Sequence, residues 1–269
     1  FSEEEKERYA LECFAVIVRT LHTNNETSVH YEFNRLTDLV ISDPLLRKYL
    51  TPDEKLHFLT EDVGATMPYT STHAITMARY AKIIAQCIIY ENPALMLGLF
   101  GYQTPDEVQE HEEEILDFLH TACLLHDLGK NRMREIVHNV YRKIDEHELA
   151  VVRQHPEYSA RMLSFDPSLM QYRDVVIGHH KWYNGQGGYP AGFDNTLSPV
   201  RILIDIASVA DSLEAATSRV GRNYREPKTF GQIMDELRHL SGVRYNRDVV
   251  YAIFCSHETY MELEEMIDK

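Results

Sequence analysis

Apolar residues recur at helical spacing through most of this chain, and no stretch alternates apolar with polar over the length of a strand. Glu3–Leu21 carries Leu11, Phe14, Ile17, Val18 and Leu21 on one side. A polar, turn-prone stretch, Thr23–Ser28, follows, and short helical pieces continue to about Thr60. The next long helix is predicted over Ser71–Tyr90, with Ile75, Ala78, Ile83 and Ile84 facing inward. Thr104-Pro105-Asp106-Glu107 reads as a helix start: an N-cap, a first-position proline and a capping-box glutamate. That helix is expected to run to about His126 and to stop near Gly129.

Shorter helices are predicted at about Glu146–Arg153, Glu157–Leu163 and Ser168–His179. From Lys181 to Ser198 the chain is rich in glycine, proline and aromatics, too punctuated for helix or sheet. A helix resumes at Ser198-Pro199 and runs to about Arg219. Another spans Thr229–Leu240, with Thr229 and Gln232 at capping-box spacing and Gly242 as its C-cap, and a last one covers Arg247–Ile267. The fold class is all-α.

Composition narrows the function. Hydrophobic residues at 44% and charged ones at 26% match an ordinary soluble domain. The apolar stretches Ile83–Tyr90 and Ala94–Phe100 are too short to cross a bilayer. With 27 Lys and Arg against 42 Asp and Glu, the net charge of −15 argues against binding a nucleic-acid polymer. The four cysteines are scattered in apolar contexts, without a paired zinc spacing, which fits a reducing cytoplasm. A first residue of Phe suggests a fragment of something longer.

The histidines carry the chemistry. His73, His126-Asp127, His155, His179-His180 and Asp211 fall in or beside successive helices. Imidazole nitrogen and carboxylate oxygen are the donors that suit iron, manganese, zinc or nickel, and helical bundles commonly gather such ligands in their cores. Singly, each histidine has an ordinary explanation as a hydrogen-bonded core or surface residue. Their order along the chain does not.

LLHDLGK (Leu124–Lys130) has the H-D-x-G-K form. It is followed by HPEYS (His155–Ser159), HHKWYNGQGGYP (His179–Pro190), ADSLEAAT (Ala210–Thr217) and GRNYR (Gly221–Arg225). SGVRYNRDVVYAIF (Ser241–Phe254) closes the series. In that order these motifs resemble the HD-GYP family, a branch of the HD phosphohydrolase superfamily, from about Val63 to Phe254.

The resemblance implies an HD-domain helical bundle over residues 62–269 with an N-terminal helical segment, 1–61, as an accessory or as a linker to a missing regulatory domain. It implies a cytoplasmic, metal-dependent phosphodiesterase that hydrolyses cyclic di-GMP or a related cyclic dinucleotide by attack of a metal-bridging hydroxide on phosphorus. Asp127 would bridge two divalent cations, iron or manganese. His73, His126 and Asp211 would hold one, and His155, His179 and His180 the other. Lys130 would reach a phosphate oxygen and act with Asp127 in catalysis. Arg222 and Arg225 sit at the family's phosphate-gripping positions, and Trp182 or Tyr189 would offer a stacking face for a base.

Three departures from the family pattern matter. Members with a third metal carry a glutamate four residues before the first histidine, where this chain has Tyr69, so two metals and a linear dinucleotide product are expected. Lys181 and Asn184 replace acids in the glycine-rich loop, which has one residue added. Glu214 stands where an aspartate is common, three residues from Asp211 on one helical face, and is expected to orient a ligand or pair with a basic group. Two further readings stay open: a phosphohydrolase of another nucleotide or phosphoester, and a nucleotide sensor without catalysis. The first helix would also suit a homodimer.

Overall fold

The computed structural model describes residues 68–137, 143–164, 166–218 and 226–268, and these form an all-α bundle. The predicted segment 1–61, with its first helix, lies outside the described residues. Among those described, extended backbone pairs only at two isolated bridges, Lys181 with Gly188 and Ser241 with Tyr245.

Three helices make the centre: α1 (Pro68–Glu91), α3 (Glu112–Leu125) and α8 (Arg201–Thr217). Helix α1 packs against both α3 and α8. Its buried stripe is Ala74, Met77, Ala78, Ala81, Ile84, Ala85 and Ile88, the i, i+3, i+4 repeat of one helical face. Ile75, predicted to face inward, lies one residue off that stripe, about a quarter turn round, and is 44% exposed. Helix α8 is buried on nearly every side, and Asp211, Ser212 and Glu214 are buried with its apolar residues. Buried carboxylates inside an apolar bundle demand partners.

Thr104 caps the short helix α2 (Pro105–Glu110) through a complete capping box with Glu107. The single long helix predicted from there is broken at His111, where φ −105° and ψ 24° leave the helical region between α2 and α3. After α3 the backbone tightens into a 3₁₀ turn, Leu128–Met133, which leads into α4 (Arg134–Val137). Then come α5 (Glu146–Val152), α6 (His155–Leu163) and α7 (Arg173–Gly178), the last preceded by a 3₁₀ turn over Pro167–Tyr172 where continuous helix was predicted.

Helix α9 (Phe230–His239) packs on α8, while α10 (Arg247–Cys255) and α11 (His257–Asp268) pack against α1. Thr229 and Gln232 form the expected capping box. The C-cap of α9 is Leu240, and Gly242, at φ +79°, turns the chain two residues later rather than capping the helix itself. The last predicted helix is two, parted at Ser256, whose ψ of 107° is extended.

One backbone approach fixes the frame of the site. Gly129 donates its N–H to Ser159 Oγ at 2.7 Å, and a Cβ there would lie 2.2 Å from the His155 carbonyl oxygen and 2.6 Å from the Ser159 nitrogen. Only glycine lets the turn after Asp127 close onto the first turn of α6. Gly129→Ala should therefore destabilise the fold by about 1–3 kcal/mol, through forced separation of two backbones. Urea denaturation measures it, and a wild-type midpoint would refute the claim.

Candidate metal centre

The structure brings His73, His126, Asp127, His155, His179, His180 and Asp211 into one cluster at the meeting of α1, α3, α6, α7 and α8. Ligand atoms of His73, His126 and Asp211 lie within 4.8 Å of one another, and so do those of His155, His179 and His180. Asp127 stands between the two sets. Its Oδ2 lies 3.1 Å from His126 Nε2 and 3.5 Å from His73 Nε2, while its Oδ1 lies 3.1 Å from His155 Nε2. Asp211 also reaches both sides, with Oδ1 at 3.2 Å from His73 Nε2 and Oδ2 at 3.5 Å from His180 Nδ1.

Local helix geometry sets the tautomers. His126, His155 and His179 each donate Nδ1–H to the carbonyl three residues earlier: Cys123 at 2.6 Å, Val152 at 2.7 Å and Val176 at 2.7 Å. A carbonyl only accepts, so each ring carries a hydrogen on Nδ1 and turns its Nε2 inward. Burial holds His155 and His179 below the usual histidine pKa, His179 far below, so both are neutral near pH 7.

Their Nε2 atoms nevertheless approach to 3.2 Å, and Asp127 Oδ1 is buried with no hydrogen-bond donor. Three acceptors thus converge with no proton between them. Such a set is costly alone and is satisfied by a cation. The donor atoms present fit divalent metal.

On the other side, charge is balanced by protons. Burial pulls the His73 pKa down, but hydrogen bonds to Asp211 and Glu214 outweigh it and hold the ring at about 9. Its Nδ1 donates to Glu214 Oε2, which leaves Nε2 facing His126 Nε2 at 3.2 Å. Glu214 thus orients a predicted ligand, as carboxylates behind metal-bound histidines do. Lys130 Nζ lies against Asp127 Oδ2, so its ammonium stands where a cation's charge would be required. Burial works to raise the Asp127 pKa, but His126, Lys130 and His155 facing it keep it well below the ordinary range.

The glycine-rich loop walls the cluster. Lys181 bridges Gly188, Trp182 N–H donates to the Gly187 carbonyl at 3.1 Å, and Tyr189 N–H donates to that of His180 at 3.3 Å. Gly188, at φ +77°, has no room for a Cβ, which would lie 2.1 Å from the His180 oxygen. The Tyr189 ring lies 4.5 Å from that of His180 and 6.0 Å from that of His155. Trp182 is 39% exposed and makes no ring contact with the imidazoles among the described residues. Lys181 is buried; the Thr196 hydroxyl and N–H hold the Asp194 carboxyl below its ordinary range, and the Lys181 charge adds to them.

Tyr69, on the first turn of α1, is exposed. Arg222 and Arg225 lie outside the described residues. Two cations the sequence reading passed over, Arg153 and Arg244, act on the Tyr189 phenol: burial and the nearby aspartates raise its pKa, and both arginines oppose the rise. Arg153, two residues before His155, carried a positional signal. Arg244 carried none.

The described residues thus define an all-α protein with a buried histidine–aspartate cluster able to hold divalent metal. The family model described as an HD domain matches residues 102–249, and the chain belongs to that family. It is 31% identical over 148 residues to a cyclic di-GMP phosphodiesterase of Thermotoga maritima, covering 54% of this chain and 37% of that protein. It is 30% identical over 203 residues to a 3′3′-cGAMP-specific phosphodiesterase of Vibrio cholerae, covering 74% of this chain and 34% of that one. A cyclic di-GMP phosphodiesterase of Pseudomonas aeruginosa is 34% identical over 98 residues, 36% of this chain and 23% of that protein. The chain therefore spans about a third or less of these curated relatives. No helix among the described residues is long and apolar enough to cross a membrane.

Burial holds the His180 pKa down to about 3. An unfolded imidazole takes its proton near 6.5, so between those values the unfolded chain binds the extra proton and acid favours unfolding. Metal-free wild type should lose stability relative to His180→Gln as pH falls from about 6.5 toward 3, at up to about 1.4 kcal/mol per pH unit. Urea denaturation across that range tests it, and parallel profiles would contradict the assignment.

Proposed function

We propose that this chain is an HD-GYP-type phosphodiesterase that opens a cyclic dinucleotide, cyclic di-GMP or its hybrid cGAMP counterpart, to the linear form. The observation that carries this reading is Asp127, whose two oxygens face two separate ligand sets. Two divalent cations, iron or manganese by donor type, would neutralise phosphoryl charge and acidify a water near neutral pH. Tyr69 in place of an acid supports two ions rather than three. The names of the relatives support both nucleotides, and the match over 203 residues to a cGAMP-specific enzyme favours testing the hybrid beside cyclic di-GMP.

The protein's own groups would divide the work as follows. Asp127 and Asp211 span the two ligand sets and fix their separation. The Cys123, Val152 and Val176 carbonyls and Glu214 hold four rings with Nε2 inward, so no ring must rotate to meet a metal, while His73 would give up its proton. Lys130 pairs with Asp127 Oδ2 in the metal-free state. With divalent metal bound, its ammonium would be free to donate a hydrogen bond to a phosphoryl oxygen. Tyr189, packed on His180, presents its ring to a base, and Trp182 offers a second surface on the loop.

A phosphohydrolase acting on another phosphoester would keep the same centre, and a sensor without catalysis would not need all seven donors. A role of residues 1–61 as an accessory or as a linker to a regulatory domain, a dimer through that segment and a cytoplasmic location belong to this proposal too.

Asp127→Ala should release metal and abolish hydrolysis while the helical circular-dichroism spectrum is kept. Elemental analysis of wild type should give two ions per chain. Three ions at full occupancy, or turnover in the variant, would overturn these roles. Lys130→Ala should keep both metals and slow turnover by about 2–4 kcal/mol in barrier. An unchanged rate in steady-state assays would remove Lys130 from the chemistry.

A further inference from the structure

Arg244 sits in the turn between α9 and α10, and that turn is clasped to the wall of the site. Tyr183 N–H donates to the Arg244 carbonyl at 2.9 Å, and Asn184 N–H donates to that of Val243 at 3.1 Å. The side chain reaches the floor: Arg244 Nη2 is 3.5 Å from the hydroxyl of Ser212, the residue after Asp211. Its remaining contacts are loose. Nη1 is 4.0 Å from Glu236 Oε1, while Lys228 takes the other oxygen of that carboxylate. The guanidinium lies over Tyr245, 5.0 Å from the ring centroid, and the side chain is 38% exposed. Five N–H donors, two long contacts and one open side leave a planar fork with spare capacity.

A cyclic dinucleotide brings two phosphates, and a metal centre at the histidine cluster serves the one being cleaved. In a protein of net charge −15, the other needs a local cation. Lys130 lies at Asp127 Oδ2 and in the reading above serves the phosphoryl group at the metal centre. Arg153 is exposed at the end of α5 with no link to the floor of the site. Arg201, at the first turn of α8, already donates Nη2–H to the Tyr183 carbonyl at 2.7 Å. Arg244 joins the loop wall to the α8 floor beside Asp211, and its charge reaches the Tyr189 phenol.

We propose that Arg244 is a specificity-determining residue that takes the phosphate not being cleaved, and so selects a cyclic dinucleotide over substrates with one phosphate. The proposal rests on the phosphodiesterase reading above. Its chemistry is that of a bidentate guanidinium–phosphate pair, for which an ammonium is an incomplete substitute.

The test uses the 269-residue chain loaded with Mn²⁺, as wild type, Arg244→Gln and Arg244→Lys. Two substrates are compared: cyclic di-GMP, and bis(p-nitrophenyl) phosphate, a diester with a single phosphate. The Gln variant should raise KM for cyclic di-GMP roughly tenfold or more, with kcat within about twofold. Turnover of the one-phosphate diester should hold at the wild-type level. KM should also become less sensitive to salt, and the Lys variant should fall between.

An unchanged KM in the Gln variant overturns the proposal. Equal losses on both substrates, with lower melting temperature or lost metal, also overturn it, because Arg244 is then structural. Should the Gln variant not fold, the Lys variant decides: a KM raised severalfold for cyclic di-GMP alone supports the proposal, and an unchanged one ends it. A wild type that cleaves the simple diester but no cyclic dinucleotide sinks the functional reading itself, and is recognised before any variant is compared.

Discussion

Bare lone pairs facing one another in a dry interior govern this structure. His155 Nε2, His179 Nε2 and Asp127 Oδ1 converge without a hydrogen among them, and the rings cannot turn away because their other nitrogens are bonded to carbonyls. The bundle surrounding them is apolar, so water offers little relief. Folding must therefore hold together an arrangement that favours positive charge, and it does so with tight backbone approaches such as Gly129 against α6. Helix α8 shows the same tension, carrying Asp211 and Glu214 through the most buried part of the molecule.

The two halves of the cluster resolve that tension differently. Around Asp211 and Glu214, His73 keeps a proton well above the usual histidine range. At Asp127 Oδ2 the ammonium of Lys130 supplies the charge. The His155–His179 side has neither device, since burial keeps both rings neutral. Each half is thus shaped for a cation, one by the proton it borrows and the other by the donor it lacks.

Much of this was legible in the sequence, for physical reasons that are local. Capping boxes at Thr104 and Thr229 act within one turn, so their residues announce them. The ligands were legible because their motifs are short and ordered, although only the fold brings His73 to His126 and His155 to His179. The break at His111 was not legible, because histidine is no helix breaker, whereas Ser256 carried a local signal that was missed: its hydroxyl accepts from Thr259 N–H at the start of α11. Ile75 misled for another reason: one apolar residue beside a stripe of alanines outweighs them in hydrophobicity but not in angle. Arg244 had no signature, since its place beside Ser212 depends on a turn clasping a loop sixty residues away.

The donors of this centre come from positions 73 to 211, on five separate helices. Neither ligand set is complete within one helix, so a metal bound there would meet its full donor set only once the helices have packed. Which element occupies the enzyme would be decided by the pool it meets after synthesis, and the same polypeptide would differ in competence between cells rich and poor in that element.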